Sequence, residues 1–302
     1  MASWTEAHLL FCEGPHDVAF LNQVLKKQLG FNQKELQISE LPYPIGNVLK
    51  QGFLNRAAED LRLDLAKKFF LPDQVLARKD VLVLLFNYGG SNRDKSLPPF
   101  LAAVFELLNA PAFSEGDSVP LSYVVFADAD AAGTAAALAD ISKDLAQIAG
   151  QSWLTANWQA WDKLQMAAEQ QTAQGCVGAY IWRQQDADQG TLEDIVLECM
   201  GEQPRFAETL EFVDTRFKWT PAAQAKPEEK RALAAKRLKA AFCIEGQRKK
   251  PGGSLGVVLD QADLLTPERL SASVSVQHCV RFLRHWMGIE NSQYEAQRQG
   301  LL

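Results

Sequence analysis

Apolar runs alternate with amphipathic segments along the first half of the chain, and each run predicts a buried strand. The first run is HLLFC at 8–12, and apolar residues at helical spacing follow it over 17–29, with Gly30 as a usual helix-ending residue. The runs VLVLLF at 81–86 and SYVVFADAD at 122–130 each precede a helical pattern as well. Continuous apolar strands that alternate with helices predict an α/β fold with a mostly parallel sheet flanked by helices.

Weaker patterns predict the other elements of the chain. They are an edge strand at 36–41, a long amphipathic helix at 47–70 closed by Pro72, a helix at 99–109, an alanine-rich helix at 131–149, a strand at 175–182 and a mostly helical region at 204–243. Trp153, Trp158 and Trp161 form an aromatic cluster, for which a role in packing is favoured over one in binding nucleobases.

Composition is that of a soluble globular protein, with 302 residues, 47% hydrophobic and 23% charged. The net charge of -6 argues against coating nucleic acid by bulk charge, although residues 226–250 hold a local excess of basic side chains. The five cysteines are scattered singly and predict reduced thiols in a cytoplasmic protein. Neither a secretory leader nor an apolar run of membrane-spanning length is present, so no membrane association is expected.

Acidic residues follow two of the predicted strands. Glu13 and Asp17 come after the first, and Asp128 and Asp130 end the SYVVFADAD run. Carboxyl ends of parallel strands share one edge of a sheet, and residues two apart on an extended chain point to the same side. Clustered carboxylates repel unless a cation neutralises them, and Mg²⁺ prefers oxygen ligands. The alternative is that Asp17 only caps its helix while Glu13 lies in solvent.

The motifs E-G-x-x-D at 13–17 and D-x-D at 128–130 resemble those of the TOPRIM domain. This α/β, Rossmann-like catalytic fold is shared by topoisomerases, bacterial primases and OLD-family nucleases. The resemblance implies that Glu13 is a general acid or base, or a metal ligand, and that Asp17 supports the first metal. It implies that Asp128 and Asp130 hold Mg²⁺ or Mn²⁺, in a site for two ions.

A later motif, G-T-L-E-D at 190–194, resembles the acidic motif with which OLD-type nucleases complete a two-metal site. The resemblance makes Glu193 a candidate ligand, with Asp194 beside it. Acids in the first turn of a helix also complement its dipole, so capping alone would explain both residues. His16 is treated as incidental to the first motif.

Two further features match the OLD-type pattern loosely. Lys249 and Lys250 occupy roughly the place of a late lysine that stabilises charge on the phosphate, and a solvated basic loop is the alternative. The turn containing Gly89, Gly90 and Ser91 resembles the glycine-containing turn after the middle TOPRIM strand, where backbone N–H groups could meet phosphate. An ordinary tight loop would explain that turn equally.

The resemblance implies a cytoplasmic, metal-dependent TOPRIM nuclease that hydrolyses DNA or RNA. Residues 1–150 would form the TOPRIM core with a helical insertion near 45–72. Residues 151–302 would hold the Trp-containing insert, the remaining TOPRIM elements and a mainly helical C-terminal region. Because no P-loop motif occurs, regulation by a separate ATPase subunit, as in anti-phage effectors, is expected, and a homo-oligomer is a further candidate partner. The alternative is a metal-binding regulatory module that is inactive as an isolated chain.

Overall fold

A computed structural model describes residues 4–57, 70–90, 93–109, 119–148, 158–161, 167–172, 175–201, 203–219, 221–222 and 224–289. Its strands are β1 (Glu6–Cys12), β2 (Asn32–Gln33), β3 (Pro72–Arg78), β4 (Val81–Asn87), β5 (Leu121–Asp128), β6 (Gln159–Ala160), β7 (Ala167–Thr172) and β8 (Gly175–Trp182). Its α-helices are α1 (Pro15–Leu29), α2 (Ile45–Ala57), α3 (Arg93–Leu108), α4 (Thr134–Leu145), α5 (Leu192–Met200), α6 (Pro204–Phe217), α7 (Pro227–Gly246), α8 (Leu255–Gln261), α9 (Pro267–Ala272) and α10 (Val274–Trp286).

The described strands form one mixed sheet in the order β2-β3-β4-β1-β5-β8-β7-β6. The four central strands, β4, β1, β5 and β8, are parallel, and antiparallel strands flank them on both edges. The prediction of an α/β fold with a mostly parallel core is therefore confirmed. All four parallel strands end at the same edge, which brings the chain after β1 next to the chain after β5.

Helices cover both faces of the sheet because successive strand residues point to opposite sides. Leu10 of β1 and Phe126 of β5 belong to one core, which also includes residues of α1, α5, α7 and α10. Leu9 and Val125, one residue away in each strand, belong to a second core with residues of α2, α3 and α4. The continuous apolar runs that predicted these strands are explained by this burial on both faces.

Some sequence-based boundaries were wrong. The weak alternation at 36–41 predicted a strand, but the segment contains a 3-10 helix at Ile38–Glu40, before a proline-rich turn. Pro72, expected to close a long helix, begins β3 instead. The predicted helix at 47–70 is observed as α2 over Ile45–Ala57, and 58–69 lie outside the described residues. Strands as short as β2 carry too few residues for a pattern to show.

Two of the three tryptophans have packing contacts, as favoured from the sequence. Trp158 donates a hydrogen bond from Nε1 to Ser142 Oγ at 2.7 Å, and Trp161 packs edge-on against Phe282. Trp153 lies outside the described residues. None of the described helices is both long and apolar enough to cross a lipid bilayer.

Candidate metal centre

The turn from β1 into α1 positions the first two acids. Glu13 follows the last residue of β1, and Gly14 is the N-cap of α1, with Pro15 as its first residue. Asp17 accepts a hydrogen bond from the Gly14 N–H at 2.9 Å through Oδ2, so the expected helix cap is present. Asp17 is nevertheless only 2% exposed. Acidic residues are rarely buried so completely, and an acid that only caps a helix can stay in solvent.

The end of β5 positions the next two acids differently from each other. Asp128 is the last residue of β5, and its Oδ1 accepts a hydrogen bond at 2.8 Å from the N–H of Leu192, the first residue of α5. Asp130 has left the strand: its φ is 49°, and its backbone pairs with Gly190. The chain is therefore not extended through Asp130 as expected, although both acids still line one cleft.

Glu193 is the buried acid of the later motif. It lies in the first turn of α5 and is 2% exposed. Its Oε1 is 3.4 Å from Nε2 of His16 and 3.3 Å from Nζ of Lys239, yet it forms no hydrogen bond. Buried carboxylate oxygens are normally hydrogen-bonded, so this oxygen is available to a cation.

The acids repel one another. Burial raises the pKa of Asp17 well above its usual range, and the charges of Glu13 and Glu193 raise it further. Burial also raises the pKa of Asp128, and the same neighbours add to this effect, whereas the Leu192 N–H opposes it. Such mutual repulsion requires that the carboxylates lie close together, as the parallel sheet predicted.

Glu13 links this cluster to Asp130. Burial raises the pKa of Glu13, and the charge of Asp130 raises it further, while Arg93 lowers it. A cleft of about 450 Å³ lies beside both acids. It is lined by Glu13, Gly90, Arg93, Asp94, Ala127, Asp128, Asp130, Ala137, Asp140, Lys143, Asp144 and Gln147. The cleft therefore gives a ligand a route to the carboxyl ends of β1 and β5.

Asp194 is engaged in holding α5. Its Oδ2 accepts hydrogen bonds from the Thr191 N–H at 2.9 Å and from Arg231 at 3.0 Å, and its Oδ1 accepts one from Gln184 at 2.9 Å. Both carboxylate oxygens are thus occupied by protein donors. Helix capping, which the sequence left as the alternative to metal binding, accounts for this residue.

The predicted lysines point to another part of the surface. Lys249 forms an ion pair with the exposed Asp263, beyond the C-terminal end of α8. This pair lowers the pKa of Asp263, with smaller contributions from Lys27 and Lys250. Two cations of α7 reach the acids instead: Arg231 contacts Asp194, and Lys239 contacts Glu193.

Sequence reasoning missed Arg231, Lys239 and His16. The signal for the first two was present, because residues eight apart lie on one face of a helix, and both belong to the basic stretch over 226–250. The sequence did not indicate which face of α7 packs toward the acids. His16, treated as incidental, lies 3.4 Å from Oδ2 of Asp17. Burial lowers its pKa to about 4, with Lys239 adding to this effect, so its imidazole is neutral.

The glycine-containing turn after β4 supports Glu13. The Gly90 N–H donates to the Glu13 carbonyl at 2.7 Å, and the Gly89 N–H donates to Asn87 Oδ1 at 2.9 Å. Both glycines adopt positive φ, of 80° and 55°. The two N–H groups expected to meet phosphate are therefore used inside the protein. Ser91 lies outside the described residues.

The fit of these residues to a metal rests on their donor chemistry. In the part of the chain that the structure describes, no three His, Cys, Asp or Glu side chains are already arranged to hold a metal ion. The set nevertheless offers carboxylates of raised pKa and the unbonded Oε1 of Glu193, which match ions that prefer oxygen. Binding would require the carboxylates to turn toward a common point and Lys239 to leave Glu193.

Comparison with known proteins adds little. No protein-family model matches the sequence, and no curated protein matches it. The chain is similar to a solved structure, that of the hypothetical protein PH0156 from Pyrococcus horikoshii OT3, at 15% sequence identity and a TM-score of 0.45. The alignment covers 92% of this chain and 99% of the other. A likeness this distant carries no argument about function. The TOPRIM resemblance remains a hypothesis that rests on the motifs.

Proposed function

We propose that the protein is a TOPRIM-like nuclease, which hydrolyses phosphodiester bonds of DNA or RNA with Mg²⁺ or Mn²⁺. The observation that carries this proposal is that Asp17 and Glu193 are buried beside Glu13 and Asp128 at one edge of the sheet, close enough for their charges to raise the pKa of Asp17 and of Asp128. Natural proteins rarely bury carboxylates beside one another, as Asp17 and Glu193 are buried beside the half-buried Glu13 and Asp128, unless a cation joins them. The cleft beside Glu13 and Asp128 supports access of a substrate to these residues.

Glu13, Asp17, Asp128 and Glu193 would hold the ions, and Asp130 lies at the rim of the same cleft. Bound divalent ions supply an activated water and stabilise the leaving oxygen. Neutral His16 can accept a hydrogen bond from a water near Asp17 without adding charge. Lys239 and Arg231 bring positive charge to the acidic edge, where a phosphate would otherwise be repelled.

The direct test is cleavage of plasmid DNA, linear DNA and structured RNA by the purified chain with Mg²⁺ or Mn²⁺. We expect activity in the wild type and a loss of at least about 100-fold in Glu13→Gln and Asp128→Asn. Asp263→Asn is the matched control, because that acid is exposed and paired with Lys249, and it should cleave normally. Activity that survives both substitutions in the cluster would overturn the proposal.

The same assay separates the alternative role. A chain that binds Mn²⁺ through these acids but cleaves nothing would favour the metal-binding regulatory module. Co-purification with an ATPase subunit, and sizing of the isolated chain, would then test the two protein partners that the resemblance implies. The buried thiols of Cys12, Cys199 and Cys279 fit a reducing compartment such as the cytoplasm.

A further inference from the structure

Helix α6 exposes aromatic side chains that have no role in the core. Phe212 and Phe217 are each 48% exposed. Among the residues whose side chains the structure describes, no other Phe, Tyr or Trp is as exposed. The helix is anchored by other residues: Phe206 stacks on Phe242 of α7 at 5.3 Å, and Val213 is fully buried. Exposed aromatics on an already anchored helix mark a binding surface.

The sequence at the end of α6 interleaves these aromatics with cations, as Arg216-Phe217-Lys218-Trp219. Lys218 is the C-cap residue and adopts a left-handed φ of 50°. This turn brings Trp219 back against Phe217, with ring centroids 5.1 Å apart and an angle of 26° between the planes. Trp219 also packs against the core, which fixes its orientation. The stack therefore presents a preformed aromatic surface, the Phe217–Trp219 shelf, between two exposed cations.

The shelf is level with the acidic cluster. Helices α6 and α7 are antiparallel, as ion pairs between Arg237 and Asp214 and between Arg205 and Glu245 show. By this register Phe217 lies beside residue 234 of α7, between Arg231 and Lys239, which contact the acids. The shelf therefore lies at the same level along α7 as the two cations that contact Asp194 and Glu193.

We propose that the Phe217–Trp219 shelf is a stacking site for an unpaired base of single-stranded nucleic acid, with Arg216 and Lys218 meeting its backbone. This inference rests on the proposed nuclease function and names its substrate class. Bases inside a duplex cannot reach such a surface, whereas an unpaired base can stack on it whatever its identity. One turn earlier, the guanidinium of Arg216 lies over the ring of Phe212, with Cζ 5.9 Å from the ring centroid, so this cation is held beside the shelf.

A protein partner fits these observations less well. The apolar surface is small, and cations flank it on both sides, whereas the centre of a protein interface is usually depleted of charge. Alternating cations and aromatic rings match a chain of alternating phosphates and bases. Exposed Lys230 and Lys236 of α7 extend the positive charge along the same helix pair.

The test measures binding without hydrolysis, by fluorescence anisotropy of a labelled oligo-dT strand and a duplex of equal length, in EDTA. We expect Phe217→Ala to weaken binding of the single strand by at least about fivefold, with duplex binding unchanged within twofold. Phe217→Leu should lose as much, because it keeps apolar area but not the aromatic face. Val274→Ala, which truncates an equally exposed apolar residue on α10, should bind like the wild type.

Several results would overturn the inference. They are no binding of oligo-dT by the wild type, equal losses on single strand and duplex, normal binding by Phe217→Leu, or a change of oligomeric state in Phe217→Ala. Failure of the proposed function looks different. A chain that binds oligo-dT through the shelf but cleaves nothing with Mg²⁺ or Mn²⁺ would end the nuclease proposal and leave the stacking site. If the chain is an active nuclease and Phe217→Ala binds oligo-dT normally, the stacking site is ruled out and the nuclease proposal stays.

Discussion

Lys239 of α7 holds its Nζ 3.3 Å from Oε1 of Glu193, so a lysine faces one of the two fully buried acids of the cluster. The lysine side chain is 41% exposed, whereas that of the glutamate is 3% exposed. This cation balances a carboxylate that forms no hydrogen bond through Oε1. If a metal ion takes Glu193, the lysine is released toward a phosphate. Lys239 would thus pair with Glu193 before a metal ion binds and with phosphate afterwards, so its substitution should affect both metal binding and cleavage.

Substitution of Lys239 should therefore differ from substitution of Lys249, the lysine favoured by the sequence. We expect Lys239→Gln to lower cleavage by about tenfold or more, because a cation near the phosphate is lost. The same variant should bind Mn²⁺ more tightly, since nothing competes for Glu193. Lys249→Gln removes only an exposed ion pair with Asp263 and should leave cleavage within about twofold. Equal effects of the two substitutions would show that cleavage depends on the total positive charge of the protein and not on the position of Lys239.

Stability should depend on pH in an unusual direction. Burial raises the pKa of Asp17 and Asp128, so the folded state binds these protons more tightly than the unfolded chain does. The resulting stability is fully present below the ordinary carboxyl pKa and is lost as pH rises through the raised values. In EDTA, the Tm measured by circular dichroism should fall as pH rises above the ordinary carboxyl range. A Tm that rises with pH above that range would contradict the account.

Metal should reverse that trend. Ions bind ionised carboxylates, so stabilisation by Mn²⁺ should grow with pH. Asp128→Asn provides the matched comparison, because its amide oxygen can still accept the Leu192 N–H while the buried charge is gone. We expect this variant to unfold at a higher temperature than the wild type in EDTA, by about 2–4 °C for each kcal/mol recovered. It should also lose most of the Mn²⁺-induced shift. A lower Tm in EDTA would show that the charge is well stabilised by the protein alone.

The packing of α7 should control whether its cations reach the acids. A Cβ added to Gly246 would lie 2.2 Å from Cγ1 of Val258 in α8. Gly246→Ala should therefore destabilise the protein by about 1–3 kcal/mol in urea unfolding, as overpacked cores do. Adding Val258→Ala removes the clashing methyl groups, so the double variant should be more stable than the sum of the two single losses. Strict additivity would mean that these helices adjust without strain.

The parts of the structure that could be predicted are those in which one local pattern decides the outcome. Runs such as VLVLLF at 81–86 are apolar because both faces of the sheet are covered, and the same topology brings Glu13 near Asp128. The antiparallel strand β3, outside the parallel core, lacks that signal, since its residues are only partly buried. The turn at Asp130 and the position of Lys239 depend on how α5 and α7 pack. No spacing in the sequence reports that packing.

The central claim is that the buried acids at the ends of β1 and β5 form a divalent metal site. Diffraction from a crystal soaked in Mn²⁺ and recorded near the manganese absorption edge tests it most directly. We expect an anomalous peak about 2.2 Å from carboxylate oxygens of Glu13 or Asp128, with Glu193 turned away from Lys239. Soaked crystals that show no peak at these acids, with Lys239 still against Glu193, would contradict the claim.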